Sequence, residues 1–157
     1  MAVVLQTKIM QIRAAMPEDA SSFVALVQAL ADYESLPAPD EAAKQRLIDD
    51  AFGDPPKYEL RVAELEGDVV AYAAIFETYS TFLAKPSLYL EDLFVHPDAR
   101  RRGVATAMMA HLEQLARDRG CGRFEWSVLD WNTGAQDFYK GLGAEIKDDW
   151  KLVRKVL

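Results

Sequence analysis

The sequence predicts an α/β domain, a mixed sheet with helices on its faces, and three observations predict it. Strand-like and helix-like apolar patterns alternate along the 157 residues in the order βααβββαβαβ. Near the centre, LYLEDLFV at 88–95, an apolar stripe over 104–119 and RFEWSVL at 123–129 make a β-helix-β succession, which implies a crossover connection. Half of the residues are hydrophobic, enough for one compact domain with a full core across residues 1–157.

Each element has a local reason. KIMQIRAA at 8–15 alternates like a strand, and Pro17, Glu18 and Asp19 open a helix over PEDASSFVALVQALADYE at 17–34, with Phe23, Leu26, Val27 and Leu30 on its buried face. LPAPDEA at 36–42 is a loop, and EAAKQRLIDDAF at 41–52 is a second helix ending near Gly53. YELRVAEL and DVVAYAAIFETY flank the turn EGD, so residues 58–79 form an antiparallel hairpin. The strand at 88–95 is apolar except for Glu91 and Asp92, and Pro97 ends it. Ala105, Met108, Leu112 and Leu115 recur at helical spacing. TGAQDFYKGLG at 133–143 is a short helix closing at Gly143, and WKLVRKVL at 150–157 is a last strand.

Composition narrows the function. A formal charge of -7 argues against a general nucleic-acid binder, which needs a broad basic surface, and suits a cationic partner better. A single cysteine, Cys121, excludes an internal disulfide framework and a CxxC site, and His96 with His111 are too few and too isolated for a metal site. No charged leader followed by an apolar run opens the chain, and no stretch of about 18 apolar residues occurs, so a cytoplasmic protein without membrane contact is expected.

One stretch stands out in this acidic chain: HPDARRRGVATAMM at 96–109 sets three arginines and a glycine before a helix. GxxxxGK[ST] is absent, and the closely spaced glycine pairs Gly120/Gly122 and Gly141/Gly143 follow helices, so familiar nucleotide loops lose their support. What remains is Arg100-x-x-Gly103-x-Ala105 at a turn-to-helix junction. The first amides of a helix lack intrahelical acceptors and carry partial positive charge, which favours an anion. Gly103 lets a phosphate approach the backbone, Ala105 keeps the first turn open and Thr106 offers a hydroxyl. The alternative is a solvated basic turn balancing Asp98 and Asp118.

Arg-x-x-Gly-x-Ala after LFVHP, then a helix, a strand and WNTGAQDFYKGLGAE, resembles the GCN5-related N-acetyltransferases (GNAT). ALADYE, LYLEDLFV, WN before FYKGLGA and the late Trp150 look most like the diamine (spermidine/spermine) and thialysine branch, over about residues 9–155. The resemblance implies the GNAT fold, with a mostly antiparallel central sheet and splayed strands, and transfer of acetyl from acetyl-CoA to a primary amine. It implies that backbone groups of Leu93, Phe94 and Val95 pair with the pantetheine arm and that the amides of Arg101, Arg102, Gly103, Val104, Ala105 and Thr106 cradle the pyrophosphate. The arginine side chains, Arg100 among them, are expected at the rim of that groove. Asn132, Ala135, Phe138 and Tyr139 complete it. A homodimer is implied as well, with residues 150–157 shaping the interface.

The chemistry demands particular groups. An alkyl amine has a pKa of about 10.4 by analogy with lysine, so a base must remove its proton before attack. Glu91, at the family's strand position, is the expected base. Alternation in a regular strand turns Asp92 to the other side, so only one of the two carboxylates is expected in a given cleft. Tyr139 is the expected acid for the departing thiolate, and the strand amide at Phe94 or Val95 an oxyanion donor. Around the acceptor, the resemblance places Tyr33, Glu34, Phe82 and Trp150, with packing as the alternative for Trp150, while Trp126 is assigned to packing. Ser80 stands where a carboxylate is expected, which weakens the case for long polyamines. Rival readings keep the cofactor but change the acceptor to a protein lysine or an aminoglycoside, or make the domain a non-catalytic CoA sensor.

Overall fold

The computed structural model describes residues 9–157, and its contacts divide it at Trp126 into two compact units, the second being Ser127–Leu157. The first unit carries the sheet. β1 (Met10–Ala14) is followed by a single 3-10 turn at Pro17–Asp19, α1 (Ala20–Glu34) and α2 (Glu41–Phe52). β2 (Glu59–Leu65), β3 (Asp68–Ser80) and β4 (Lys85–Val95) follow, then α3 (Val104–Asp118) and β5 (Arg123–Trp126). Strand order is β1-β2-β3-β4-β5, antiparallel throughout except for the parallel pair β4 and β5 that α3 connects. The expected hairpin, the crossover and α2 stand as the sequence implied. Lys8 of the first expected strand lies outside the described residues.

Local chemistry explains the boundaries. The Asp40 carboxylate accepts from the Ala43 amide at 2.8 Å and caps α2. Glu66 and Gly67 both have positive φ, 58° and 92°, the signature of a two-residue turn whose twist matches its strands. Arg13 holds Asp19 with two bonds of 2.7 and 3.0 Å and reaches Glu64 at 3.0 Å, tying β1, the 3-10 turn and β2 together.

The sheet is buried on both faces. Leu60, Val62, Tyr72, Ala74 and Phe94 pack with Phe23 and Leu26 of α1, Phe23 meeting Tyr72 edge-on at 5.1 Å. Arg61 alternates with Leu60 and Val62 and therefore looks the other way; burial and this guanidinium both push the His111 imidazole of α3 below its ordinary value. α3 thus covers the second face with Val104, Met108, Met109, Leu112 and Ala116. Each fully buried aliphatic side chain contributes about 1.5–3 kcal/mol.

β4 has two irregularities that matter below. Its register with β5 ends at Leu90↔Trp126, so from Glu91 to Val95 it is laddered to β3 alone. Its register with β3 steps from Ile75↔Leu90 to Ala74↔Asp92, which leaves Glu91 as an extra residue, a bulge.

In the second unit, α4 (Thr133–Gly141) is capped by Asn132, whose side chain accepts from the Ala135 amide at 3.2 Å. The expected strand at 150–157 does not form. Trp150, Leu152, Val153, Val156 and Leu157 are exposed, and an alternating pattern becomes a strand only where a neighbouring strand supplies hydrogen bonds. The other bounds shift modestly: β4 begins at Lys85, β5 stops at Trp126 and α4 at Gly141.

Candidate active site

A cleft of about 410 Å³ opens between the helices and the sheet. Phe23 and Val27 of α1, Leu47 of α2 and the segment Lys57–Tyr58 form its walls, and Ala74, Phe76, Glu91 and Asp92 its floor. The floor follows from the ladder. Ala74 and Phe76 share a face of β3, and the cross-strand partner of Ala74 is Asp92. The expectation that only one of Glu91 and Asp92 could enter one cleft is therefore wrong: the bulge interrupts the alternation, and both residues line it.

The two carboxylates differ. Glu91 is exposed, whereas Asp92 is half-buried and accepts a bond from the Tyr72 hydroxyl at 3.3 Å. Burial, reinforced by the charges of Glu91 and Glu34, pushes Asp92 up to about 6 against the opposing pull of the Tyr72 bond. Burial beside Asp92 and Glu34 raises the Tyr72 phenol as well. Tyr58 donates to the Leu47 carbonyl at 2.6 Å and is pushed up to about 12, first by burial and then by Asp50 and Asp92. Lys57 pairs with Asp50 at 2.8 Å.

The splayed end of β4 and the arginine loop offer different chemistry. Beyond Leu90 β4 is no longer laddered to β5. The His96 amide donates to the Val70 carbonyl, so in the alternation of the ladder Phe94 pairs toward β3 while the backbone groups of Leu93 and Val95 point to the edge that β5 has left. Arg101 and Gly103 both adopt left-handed backbone, φ 58° and 79°, and Gly103 caps α3. A Cβ built on Gly103 meets nothing within 4 Å, and the amides of Val104, Ala105 and Thr106 that follow are the first of the helix, a position that lacks intrahelical acceptors. The Arg100 guanidinium lies 5.2 Å from the Tyr33 ring and 5.5 Å from the Phe94 ring, and its Nε donates to the Val95 carbonyl at 3.1 Å. Arg100 thus braces the end of α1 against the end of β4. Arg102 leans toward Glu66 at 4.0 Å, and Arg101 is exposed.

Of the expected acceptor residues, Glu91 lines the cleft and Glu34 reaches Asp92 electrostatically, while Tyr33 carries Arg100. Phe82 stands fully exposed in the β3–β4 turn, outside the cleft lining. Ser80 is buried, and its hydroxyl accepts from the Leu83 amide at 3.2 Å, a turn-forming role. Trp126 packs against Phe124 with ring centroids 4.8 Å apart. In the second unit, Phe138 and Tyr139 are neighbours at 5.3 Å, Tyr139 is half-buried, and burial raises its phenol above the ordinary value. Trp150 is exposed.

Residues 23–144 match the family described as the acetyltransferase (GNAT) family. The chain belongs to that family. GNAT enzymes use acetyl-CoA as cosubstrate, and a strand that parts from its neighbour after Leu90, followed by a glycine-capped helix start, suits its pantetheine arm and pyrophosphate. The chain is 35% identical over 142 residues to a thialysine N-epsilon-acetyltransferase of Bos taurus, covering 85% of this chain and 83% of that one. An L-ornithine N5-acetyltransferase of Arabidopsis thaliana is 35% identical over 108 residues, 68% of this chain and 47% of its own length. A solved structure of a possible acetyltransferase from Clostridium difficile 630 superposes with a TM-score of 0.84 at 18% identity, covering 96% and 99% of the two chains. As a GNAT member the chain is an N-acetyltransferase.

The sequence left Asp92, Tyr72, Lys57 and Tyr58 out of the site. The signal for Asp92 was present, a second carboxylate in an apolar strand, but the bulge that turns Glu91 and Asp92 into one cleft is a property of two strands in register.

Proposed function

We propose that this GNAT protein moves the acetyl group of acetyl-CoA to a primary amine of a small diamine, polyamine or lysine-like amino acid. The observation that carries the proposal is the cleft itself, an apolar channel whose floor holds two carboxylates at the point where β4 parts from β5. Apolar walls suit a methylene chain, and the carboxylates suit its ammonium. The relatives that act on thialysine and ornithine support the same class of acceptor.

In this reading backbone groups of Leu93 and Val95 hold the pantetheine arm, Phe94 being paired toward β3, and the loop from Arg101 to Thr106 holds the pyrophosphate. A carboxylate of the Glu91–Asp92 step removes the ammonium proton, Glu91 being the member at the family's position. The amine attacks the thioester carbonyl directly, the C–S bond breaks, and Tyr139 gives its proton to the leaving sulfur. A phenol raised by burial stays protonated through neutral pH and so can donate. The exposed apolar residues of 150–157 support a homodimer, which light scattering of the purified protein checks by showing twice the chain mass.

The test is thiol release from acetyl-CoA in a screen of diamines, basic amino acids, aminoglycosides and lysine peptides, with the acetylated product identified by mass. Release with small diamines or lysine-like amino acids is the expected result, and Tyr139→Phe should lose about 10²-fold or more in turnover while still binding acetyl-CoA. Binding without thiol release from any amine would overturn the enzymatic reading in favour of a CoA sensor.

A further inference from the structure

We propose that Asp92 is the carboxylate that takes the acceptor's proton, with Tyr72 as the positioning residue that holds it and Glu91 as the charge that draws the ammonium into the cleft. The inference rests on the acetyl-transfer reading and reassigns one role within it.

The geometry separates the two carboxylates. Asp92 lies opposite Ala74 in the ladder, on the cleft face of β4, with its side chain set into the floor. Glu91 is the bulge residue and faces solvent. A base must hold one orientation toward the reacting nitrogen, and Asp92 has the means. The Tyr72 hydroxyl donates to its Oδ2 at 3.3 Å, and the Tyr72 ring is fully buried and locked edge-on against Phe23. That bond engages one carboxylate oxygen, so the other can take a proton.

The surroundings fit a proton acceptor and not a structural ion pair. The groups that face Asp92 are Tyr72 from β3, Tyr58 at the entry to β2, Glu34 from the end of α1 and Glu91 from its own strand. Both charges among them are negative. Lys57 on the cleft wall is engaged by Asp50 at 2.8 Å. An arriving ammonium is then the cation that this cluster lacks, and it meets a carboxylate poised near neutral pH, where general-base catalysis is most effective.

The proton balance closes. Asp92 takes one proton from the arriving ammonium and passes it to water, which frees the nitrogen lone pair. The nitrogen bonds to the thioester carbon, and the C–S bond then breaks with its electron pair on sulfur, which takes the phenol proton of Tyr139 in the proposal above. The second proton, shed by the nitrogen as it becomes an amide, restores the Tyr139 phenol through water, so one proton in all is released to solvent per turnover.

The experiment is the pH dependence of kcat/KM by thiol release, for the parent and for Asp92→Asn, Tyr72→Phe and Glu91→Gln, using 1,3-diaminopropane and lysine as probes, with acetyl-CoA binding as the check on folding. Asp92→Asn should lose about 10²-fold or more and lose the acid limb. Tyr72→Phe removes a bond that favours the ionised form, so its acid limb should move to higher pH. Glu91→Gln removes a repelling charge, so its limb should move to lower pH while KM for the amine rises. An Asp92→Asn enzyme with the parent's rate and its acid limb in place overturns the inference and leaves acetyl transfer standing. Should that variant not fold, Tyr72→Phe decides alone, and a limb at the parent's pH overturns the inference. A parent protein that releases no thiol with either probe or any amine in the screen defeats the acetyl-transfer reading instead.

Discussion

Asp19 and Asp92 are both withdrawn from water, one beneath the first strand and the other in the cleft floor, and their company is opposite. Asp19 is gripped by Arg13 at 2.7 and 3.0 Å and by the Met16 amide at 2.8 Å. The Arg13 bond leads the effects that hold its carboxyl below the ordinary range, against burial. Asp92 has one hydroxyl bond, and two acidic neighbours that add to burial to push it up to about 6. The difference teaches where this chain spends its charges on scaffold and where it leaves one incomplete for a ligand. A compensated buried charge fixes geometry, while an uncompensated one waits for a cation.

The pH consequences have opposite signs. Asp19, depressed in the fold, contributes stability above its ordinary value that is lost as pH falls through its folded value. Asp92, raised in the fold, contributes stability below its ordinary value of 3.8 that is lost as pH rises through about 6.

The largest expected effect breaks the compensated side. Arg13→Ala strands Asp19 and should cost about 3 kcal/mol, lowering Tm by roughly 10 °C in a thermal melt at pH 7, while the shape of the pH–rate profile stays that of the parent. Next, Asp92→Asn removes the cost of ionising a buried carboxyl. It should raise stability at pH 8 by on the order of 2 kcal/mol, with the gain vanishing near pH 4 in melts across that range. The smallest effect isolates burial from pairing. Arg119 grips Glu59 at 2.7 and 2.8 Å, with side chains 26% and 33% exposed. Glu59→Gln should therefore cost only about 0.5 kcal/mol by denaturant titration.

Much of this organisation was legible before any coordinates. α2 runs over the residues expected of it and ends at Phe52, just before Gly53, and the Glu66–Gly67 turn followed from its composition. The junction at Arg100–Ala105 was recognisable because a glycine before a helix has a local physical meaning. What escaped the sequence depends on partners distant along the chain. The Glu91 bulge exists only in the register of β4 against β3, and the Tyr72 bond spans 20 residues. Arg100 was expected at a phosphate rim, yet its guanidinium lies against Tyr33 and Phe94, because α1 ends beside β4. Residues 150–157 have the pattern of a strand but join no ladder among the described residues.

Titration of the aspartate side-chain carboxyl carbons by ¹³C NMR tests the contrast most directly. Asp92 should titrate with a midpoint near 6, moving downward in Glu91→Gln, while Asp19 stays ionised well below the ordinary aspartate range. An Asp92 midpoint at or below the ordinary value of about 3.9 would contradict the account, because the cleft would then hold no carboxyl poised to exchange a proton near neutral pH.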